Sequence, residues 1–272
     1  MMNYKPEELK RLQEVELDIL IEIIRVCNEN KITYFTVGGT TLGAIRHNGF
    51  IPWDDDIDIG MMRDDYERFL RIAPEKLREG YTLQSFYTEP SMPTYFAKVR
   101  KDGTLFVEEY AKDIDMHQGI YVDIMPYDKI PEDDRKRKKY RARIKLWNQL
   151  YIAKTIKTTS VPHAKNKTIK NTFRRLIHYI VSPISKKQWY EKLDQEMRKY
   201  NNTDSGLVSS RGLSIFECKI KDILPPVQHS FSGITVMIPN NYDKVLRVQY
   251  GDYMKLPPEN KRYSHAPVKL KV

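Results

Sequence analysis

Residues 37–60 read Val37-Gly-Gly-Thr-Thr-Leu-Gly-Ala-Ile-Arg-His-Asn-Gly-Phe-Ile-Pro-Trp-Asp-Asp-Asp-Ile-Asp-Ile-Gly60, and four carboxylates, Asp54, Asp55, Asp56 and Asp58, crowd five of these positions. Asp56-Ile57-Asp58-Ile59 alternates polar and apolar, the period of a strand. On a strand, Asp54, Asp56 and Asp58 face one way while Ile57 and Ile59 face the other. Asp56 and Asp58 then stand about 6.6 Å apart at Cα, two strand rises, so both side chains can converge on one ion. Like charges this close repel and push a pKa up unless a cation joins them. Hard oxygen ligands without nearby His or Cys favour Mg²⁺ or Mn²⁺ over Zn²⁺. The bland alternative is a solvated acidic loop, against which Ile57 and Ile59 anchor the run and Pro52-Trp53 fixes its approach. A calcium loop of the EF-hand type is excluded. Counted from Asp54, the turn position that requires Gly is Ile59, and the closing Glu position is Asp65.

Ahead of the acidic run, Ile32 to Val37 reads as a buried strand, Gly38-Gly39 breaks it, and Thr40 to Arg46 reads as a short helix. A glycine turn feeding a helix N-terminus can cradle a phosphate, because free backbone N–H groups point outward. Alone, Gly-Gly-Thr is a tight turn; followed by an Asp-x-Asp strand it becomes a specific pair of signals.

This stretch, with Arg63-Asp-Asp-Tyr-Glu-Arg-Phe69 after it, closely resembles the LicD family of the nucleotidyltransferase-fold superfamily. The likeness runs from the first helix to the C-terminus. It implies transfer of phosphocholine from CDP-choline to a sugar hydroxyl on a bacterial surface glycan, a teichoic acid or lipopolysaccharide precursor. The related fukutin group of animals handles CDP-ribitol. The resemblance also implies a third carboxylate on a neighbouring strand, the position that Asp123 matches.

Outward from this core, residues 6–30 form an amphipathic helix opened by Pro6, with Leu9, Leu12, Leu20, Ile23, Ile24 and Cys27 on one face. Arg63 to Leu77 is a second helix; Tyr81 to Tyr87 and Tyr95 to Lys101 are strands. Lys98 and Arg100 share one face of the latter, either a solvated face or a pair of cations for a pyrophosphate. Asp123 is a lone carboxylate on the apolar strand Gly119-Ile-Tyr-Val-Asp-Ile-Met-Pro126, costly unless paired. Asp128, following Pro126, is expected in a turn.

The chain of 272 residues has a net charge of +10, yet residues 135–188 contain 17 Lys and Arg and no Asp or Glu, leaving −7 for the remainder. Helical spacing runs through this window in Ile144, Leu146, Trp147, Leu150, Tyr151 and Ile152, then in Ile169, Phe173, Leu176, Ile177, Ile180 and Val181. Such helices lie on anionic membranes; non-specific nucleic-acid binding and a plain solvated insertion are the alternatives. His163 and His178 read as incidental. Beyond it come a helix, Gln188 to Asn201, a strand, Ile234 to Ile238, and a helix from Tyr242 to Tyr250. The closing segments Tyr-Gly-Asp-Tyr-Met-Lys-Leu-Pro-Pro, 250–258, and Lys261-Arg-Tyr-Ser-His265 are similar to the family's closing motif and can fold back toward substrate phosphates. His265 reads as a structural residue or as an acid–base group. Two cysteines, Cys27 and Cys218, exclude a disulfide framework and read as buried free thiols of a reducing cytoplasm. The first ten residues contain no apolar run and no stretch reaches 18 apolar residues, so neither a secretory leader nor a spanning helix is expected.

The expected fold is α/β, in the α+β sense: a nucleotidyltransferase-like mixed sheet flanked by helices. Its core spans 1–131, a basic helical insertion 132–200, and a returning segment 201–272. The expected site has Asp56, Asp58 and Asp123 on one or two Mg²⁺ or Mn²⁺ ions. Gly38, Gly39, Thr40, Thr41, Arg46, Lys98 and Arg100 hold the nucleotide phosphates, and His47, Trp53, Asp55, Tyr263 and His265 lie near the substrate. CDP-choline is the implied donor, a polyprenyl-linked glycan the acceptor, and the inner face of the cell membrane the location, with no specific nucleic acid. The same site could transfer ethanolamine phosphate, ribitol phosphate or a nucleotidyl group. A basic membrane or nucleic-acid adaptor with a structural acidic cluster is the reading from another class.

Overall fold

The computed structural model describes residues 4–156 and 167–272. Helix α1, Pro6–Glu29, starts on a proline, with Glu7 and Glu8 in its first turn. It buries Leu12, Ile19, Leu20, Ile23, Val26 and Cys27, each contributing roughly 1.5–3 kcal/mol for a full-sized apolar side chain. The chain then forms β1, Phe35–Thr36, α2, Gly38–His47, β2, Asp58–Met62, and α3, Arg63–Lys76. Next come β3, Tyr81–Gln84, β4, Ala97–Lys101, β5, Leu105–Val107, and the long β6, Tyr121–Lys129. Helices α4, Asp134–Thr155, α5, Lys167–Val181, and α6, Lys186–Arg198, follow; β7, Leu207–Ser210, and β8, Cys218–Lys219, return to the sheet. The last elements are α7, Ile220–Ile223, the hairpin β9, Val227–Phe231, with β10, Ile234–Ile238, then α8, Tyr242–Tyr250, and β11, Lys269–Lys271, which pairs with β5.

The architecture is the expected mixed α/β fold. Its sheet runs β1-β2-β6-β4-β3, with β7 and β8 added on β6. The β2–β6 pair is parallel and its neighbours antiparallel. Helices α1 and α3 pack on the central cluster with Ile57, Ile59, Val99, Val122 and Ile124. Helices α4 and α6 pack on a second cluster with Phe86, Tyr95 and Phe96.

Three expectations are corrected. Residues 54–57 are not strand: β2 begins only at Asp58, because Asp54 to Asp56 make loop contacts rather than ladder bonds. Asp128 is not in a turn. Strand β6 continues through Pro126 because its edge changes partner there: β4 pairs with 121–124 and β7 with 127–129. Pro126 stands in the gap, where no N–H donor is required on that edge. Cys27 is a buried free thiol as expected, whereas Cys218 is only half-buried. His163 and the side chains of Ile169 and Phe173 lie outside the described residues.

Candidate active site

The parallel register of β2 and β6 sets Asp58 beside Asp123, and the antiparallel register of β6 and β4 sets Lys98 on the other side of Asp123. Lys98 is buried; its Nζ lies 2.7 Å from Asp123 Oδ1 and 3.3 Å from the centre of the Tyr121 ring. The contact is an ion pair without hydrogen-bond alignment, since Asp123 Oδ1 has no hydrogen-bond partner. Thr40 fixes the start of β2: its Oγ1 accepts the Asp58 N–H at 2.8 Å. Thr41 shares a hydrogen bond of 2.9 Å with Thr36. Both threonine hydroxyls therefore serve the frame.

The glycines are present because acid side chains come close. A Cβ on Gly39 would stand 2.6 Å from Asp54 Oδ2. Gly38 has φ +56°, and its Cβ would meet Asp58 Oδ2 at 3.6 Å, the Tyr250 hydroxyl at 3.7 Å and the Phe216 ring at 3.9 Å. The α2 N-terminus thus abuts the carboxylates, with its positive end toward them.

Partial burial and mutual repulsion govern these acids. Burial, then Asp56 and Asp123, hold Asp58 well above the usual carboxylate range. Burial pushes Asp56 up to about 6, with His265 opposing and Asp123 adding to the rise. Burial, then Asp56 and Asp55, push Asp54 up to about 8. Asp123 is raised by burial and drawn back by Lys98. Glu16 of α1 is buried and raised by burial and then by Asp56, Asp55 and Asp54; its Oε2 has no hydrogen-bond partner.

Among the described residues, no three carboxylate, imidazole or thiol groups are already drawn together around an ion position. The donor chemistry nevertheless fits a hard divalent cation. The acids offer oxygen only, and they raise one another's pKa where a cation would relieve them.

Asp55 differs from its neighbours. Its carboxylate accepts the Tyr4 hydroxyl at 2.6 Å and the His265 backbone N–H at 2.8 Å, and it is 2 % exposed. It ties both ends of the chain to the acidic loop. The His265 imidazole lies 3.6 Å from Asp55 and 3.9 Å from Asp56; the bond to Asp55, against some desolvation, pushes it up to about 9. Arg46 donates to His47 Nε2 and to the Tyr253 carbonyl. Arg262 lies over the Trp53 ring at 5.0 Å, and Tyr263 is largely exposed. A solvated face for Lys98 and Arg100 is overturned, since both are buried. Arg100 is bound to Gln84 Oε1 and the Gly119 carbonyl.

Sequence reasoning missed Tyr4, Glu16, Arg211 and Phe216, and named Tyr250 only within the closing segment 250–258. Glu16 alone had a signal, a charge on the apolar face of α1.

A family model described as LicD/FKTN/FKRP, nucleotidyltransferase domain, matches residues 31–145. The lipopolysaccharide cholinephosphotransferase LicD of Haemophilus influenzae is 31% identical over 271 residues, covering 94% of this chain and 95% of that protein. This chain belongs to the LicD family. Within it, the mouse ribitol 5-phosphate transferase FKRP is 25% identical over 105 residues, 39% of this chain and 19% of that protein. An uncharacterized protein of Rickettsia prowazekii is 36% identical over 104 residues, 38% of this chain and 35% of that protein. In this LicD-family chain Asp58 stands beside Asp123 where β2 and β6 pair, and Asp54 to Asp56 lie in the loop that leads into β2.

Proposed function

We propose that this LicD-family chain transfers phosphocholine from CDP-choline to a sugar hydroxyl of a bacterial cell-surface glycan precursor. The observation that carries the reading is the near full-length likeness to a lipopolysaccharide cholinephosphotransferase. The geometry supports it through Asp56, Asp58 and Asp123, a hard-oxygen donor set under mutual repulsion. These residues would hold one or two Mg²⁺ or Mn²⁺ ions. Bound there, the metal would supply charge for the attacking and leaving oxygens.

The acceptor hydroxyl forms a new P–O bond to the phosphorus that bears choline, its proton passes to a site carboxylate, and the bond to CMP breaks. Asp123 completes the ligand set or takes that proton. Gly38, Gly39 and the α2 N-terminus face the phosphates, and Lys98 offsets charge on the Asp123 side. Arg100 is left out of this set. Choline's ammonium calls for aromatic faces. Arg262 already covers Trp53 and Arg211 covers Phe216, so Tyr250, beside Gly38, is the proposed face. A second reading, ribitol phosphate from CDP-ribitol, is favoured only by the partial FKRP match.

The proposal places the enzyme on the inner face of the cell membrane. Among the described residues, no helix is long and apolar enough to cross one. On α4, Arg135, Lys139, Ala142, Leu146, Gln149 and Ala153 recur at alternating steps of four and three and so share one face. Helix α5 meets that face where His178 Nδ1 pairs with the Ala153 carbonyl at 2.9 Å. Leu176, Tyr179 and Ile180 of α5 are 55%, 74% and 67% exposed. Basic residues along α4 and exposed apolar side chains on α5 together suit an anionic lipid surface.

The test is CMP release from a panel of CDP-alcohols, with and without a glycan acceptor. Release from CDP-choline above CDP-ethanolamine and CDP-ribitol supports the reading. Preference for another CDP-alcohol changes the group transferred, and release from none refutes the proposal.

A further inference from the structure

The turn that closes β7 holds a strained arginine. Leu213 N–H donates to the Ser210 carbonyl at 3.1 Å, and the two residues between, Arg211 and Gly212, have φ of +55° and +59°. Positive φ at both central positions is the type I′ pattern, which favours Gly or Asn. Arginine there is disfavoured relative to glycine.

The guanidinium has no carboxylate partner among the described residues. Its Cζ lies 5.2 Å from the Phe96 ring and 5.5 Å from the Phe216 ring, and its buried Nε has no hydrogen-bond partner. Both rings lie beside residues of the site. Phe96 also faces Lys98 Nζ at 5.5 Å, the ammonium paired with Asp123. The Phe216 ring lies 3.9 Å from where a Gly38 Cβ would be, and that point is 3.6 Å from Asp58 Oδ2. Arg211 is near enough for its charge to draw down both Asp58 and Asp123. The buried Arg63, by contrast, is met by Asp128, Asp194 and Glu67.

We propose that Arg211 binds the diphosphate of the donor, gripping the phosphate that bears the transferred group. The inference rests on the proposed nucleotide site. A planar cation with free donors, held between two aromatic rings beside the strand carboxylates, matches phosphate oxygens. It cannot ligate a metal, and it repels a choline ammonium. Its two rings adjoin Lys98 and Gly38, on the side of Asp123 and Asp58, which assigns it to the reacting phosphate rather than to the CMP end.

The test is calorimetry of CMP, CDP and CDP-choline, with Mg²⁺, on the whole protein and its R211Q, R211K and R211G variants. Loss of a charge-assisted bond, about 1.5–3 kcal/mol, predicts CDP and CDP-choline binding weakened about 10- to 100-fold in R211Q. CMP binding stays within about twofold, since its single phosphate lies outside the Arg211 contact, and R211K recovers part of the loss. R211G shows the same loss of CDP affinity with an unchanged or raised melting temperature, because glycine relieves the backbone. Wild-type-like CDP binding in R211Q overturns the inference and leaves the site reading standing. Equal loss of CMP and CDP with a lowered melting temperature in R211G also overturns it, marking Arg211 as structural. Wild-type protein that binds neither CDP nor CMP overturns both the inference and the site reading.

Discussion

Asp123 and Asp128 stand on the same strand, β6, five residues apart, and have opposite surroundings. Asp128 receives two donors from Arg63, one at 2.8 Å, and a third from Asn201 Nδ2 at 2.7 Å. Asp123 has one ammonium without hydrogen-bond alignment, and Asp58 beside it in register. A buried carboxylate whose donors meet it completely is part of the frame. One left partly unmet, among other carboxylates, lowers stability and waits for a cation or a proton. The difference separates the frame from the site within one strand.

The largest expected effect breaks the comparison at its acidic end. Asp58→Asn should lower CMP release by on the order of 10³-fold, as for loss of a group acting on developing charge, while leaving the melting temperature unchanged or raised. A matching fall in stability would show that Asp58 is held as Asp128 is. The opposite end follows. Asp128→Asn leaves Arg63 short of its main partner and should cost about 3 kcal/mol. Read as a melting temperature lowered by roughly 6–12 °C, this should come with turnover per folded molecule kept.

A third variant sharpens the contrast through packing. Gly39→Ala places a methyl 2.6 Å from Asp54 Oδ2. It should cut turnover at least tenfold, measured beside its melting curve, because the loop next to Asp56 must shift. A wild-type rate would mean that Asp54 yields freely.

Smaller is the pH response in chelator. Asp54 and Asp56 are raised to about 8 and about 6, so the folded state keeps protons that the unfolded chain releases. Their contribution is complete below about pH 4, the ordinary carboxylate value, and is lost as pH rises through 6 and 8. His265, raised to about 9, contributes fully below about 6.5 and loses its share as pH passes 9. All three predict a melting temperature that falls from pH 5 to 9, with Mg²⁺ cancelling most of the carboxylate share; a rise over that range contradicts this. The smallest effect lies far from β6. Leu176→Ser with Ile180→Ser should reduce co-sedimentation with phosphatidylglycerol vesicles several-fold without changing turnover on a soluble acceptor. Unchanged sedimentation would remove the proposed membrane face.

Much of this contrast was legible in the sequence. The Gly-Gly pair, the Asp-x-Asp pair and the solitary Asp123 are local patterns, set together because β2 and β6 pair in register, although the glycines open α2 rather than form a turn ahead of it. Asp128 was misread because Pro126 looked like a strand end; only the change of partner along β6 explains its tolerance. Asp54 to Asp56 lead into the alternating Asp56-Ile-Asp-Ile59 but form a loop, since Tyr4, Gln13 and His265 bind Asp54 and Asp55 from both ends of the chain. Arg211 gave no signal, because a cation after Ser-Ser at a strand end is ordinary until its positive φ and its two rings are known.

The unmet carboxylates of β2 and β6 are proposed to bind a donor nucleotide with a divalent cation. The most direct measurement of this is calorimetry of CDP-choline on wild type and Asp58→Asn, each with Mg²⁺ and with chelator. Binding is expected for wild type with Mg²⁺ only, and for Asp58→Asn under neither condition. Equal binding by both proteins, or binding by wild type that ignores the metal, would contradict it.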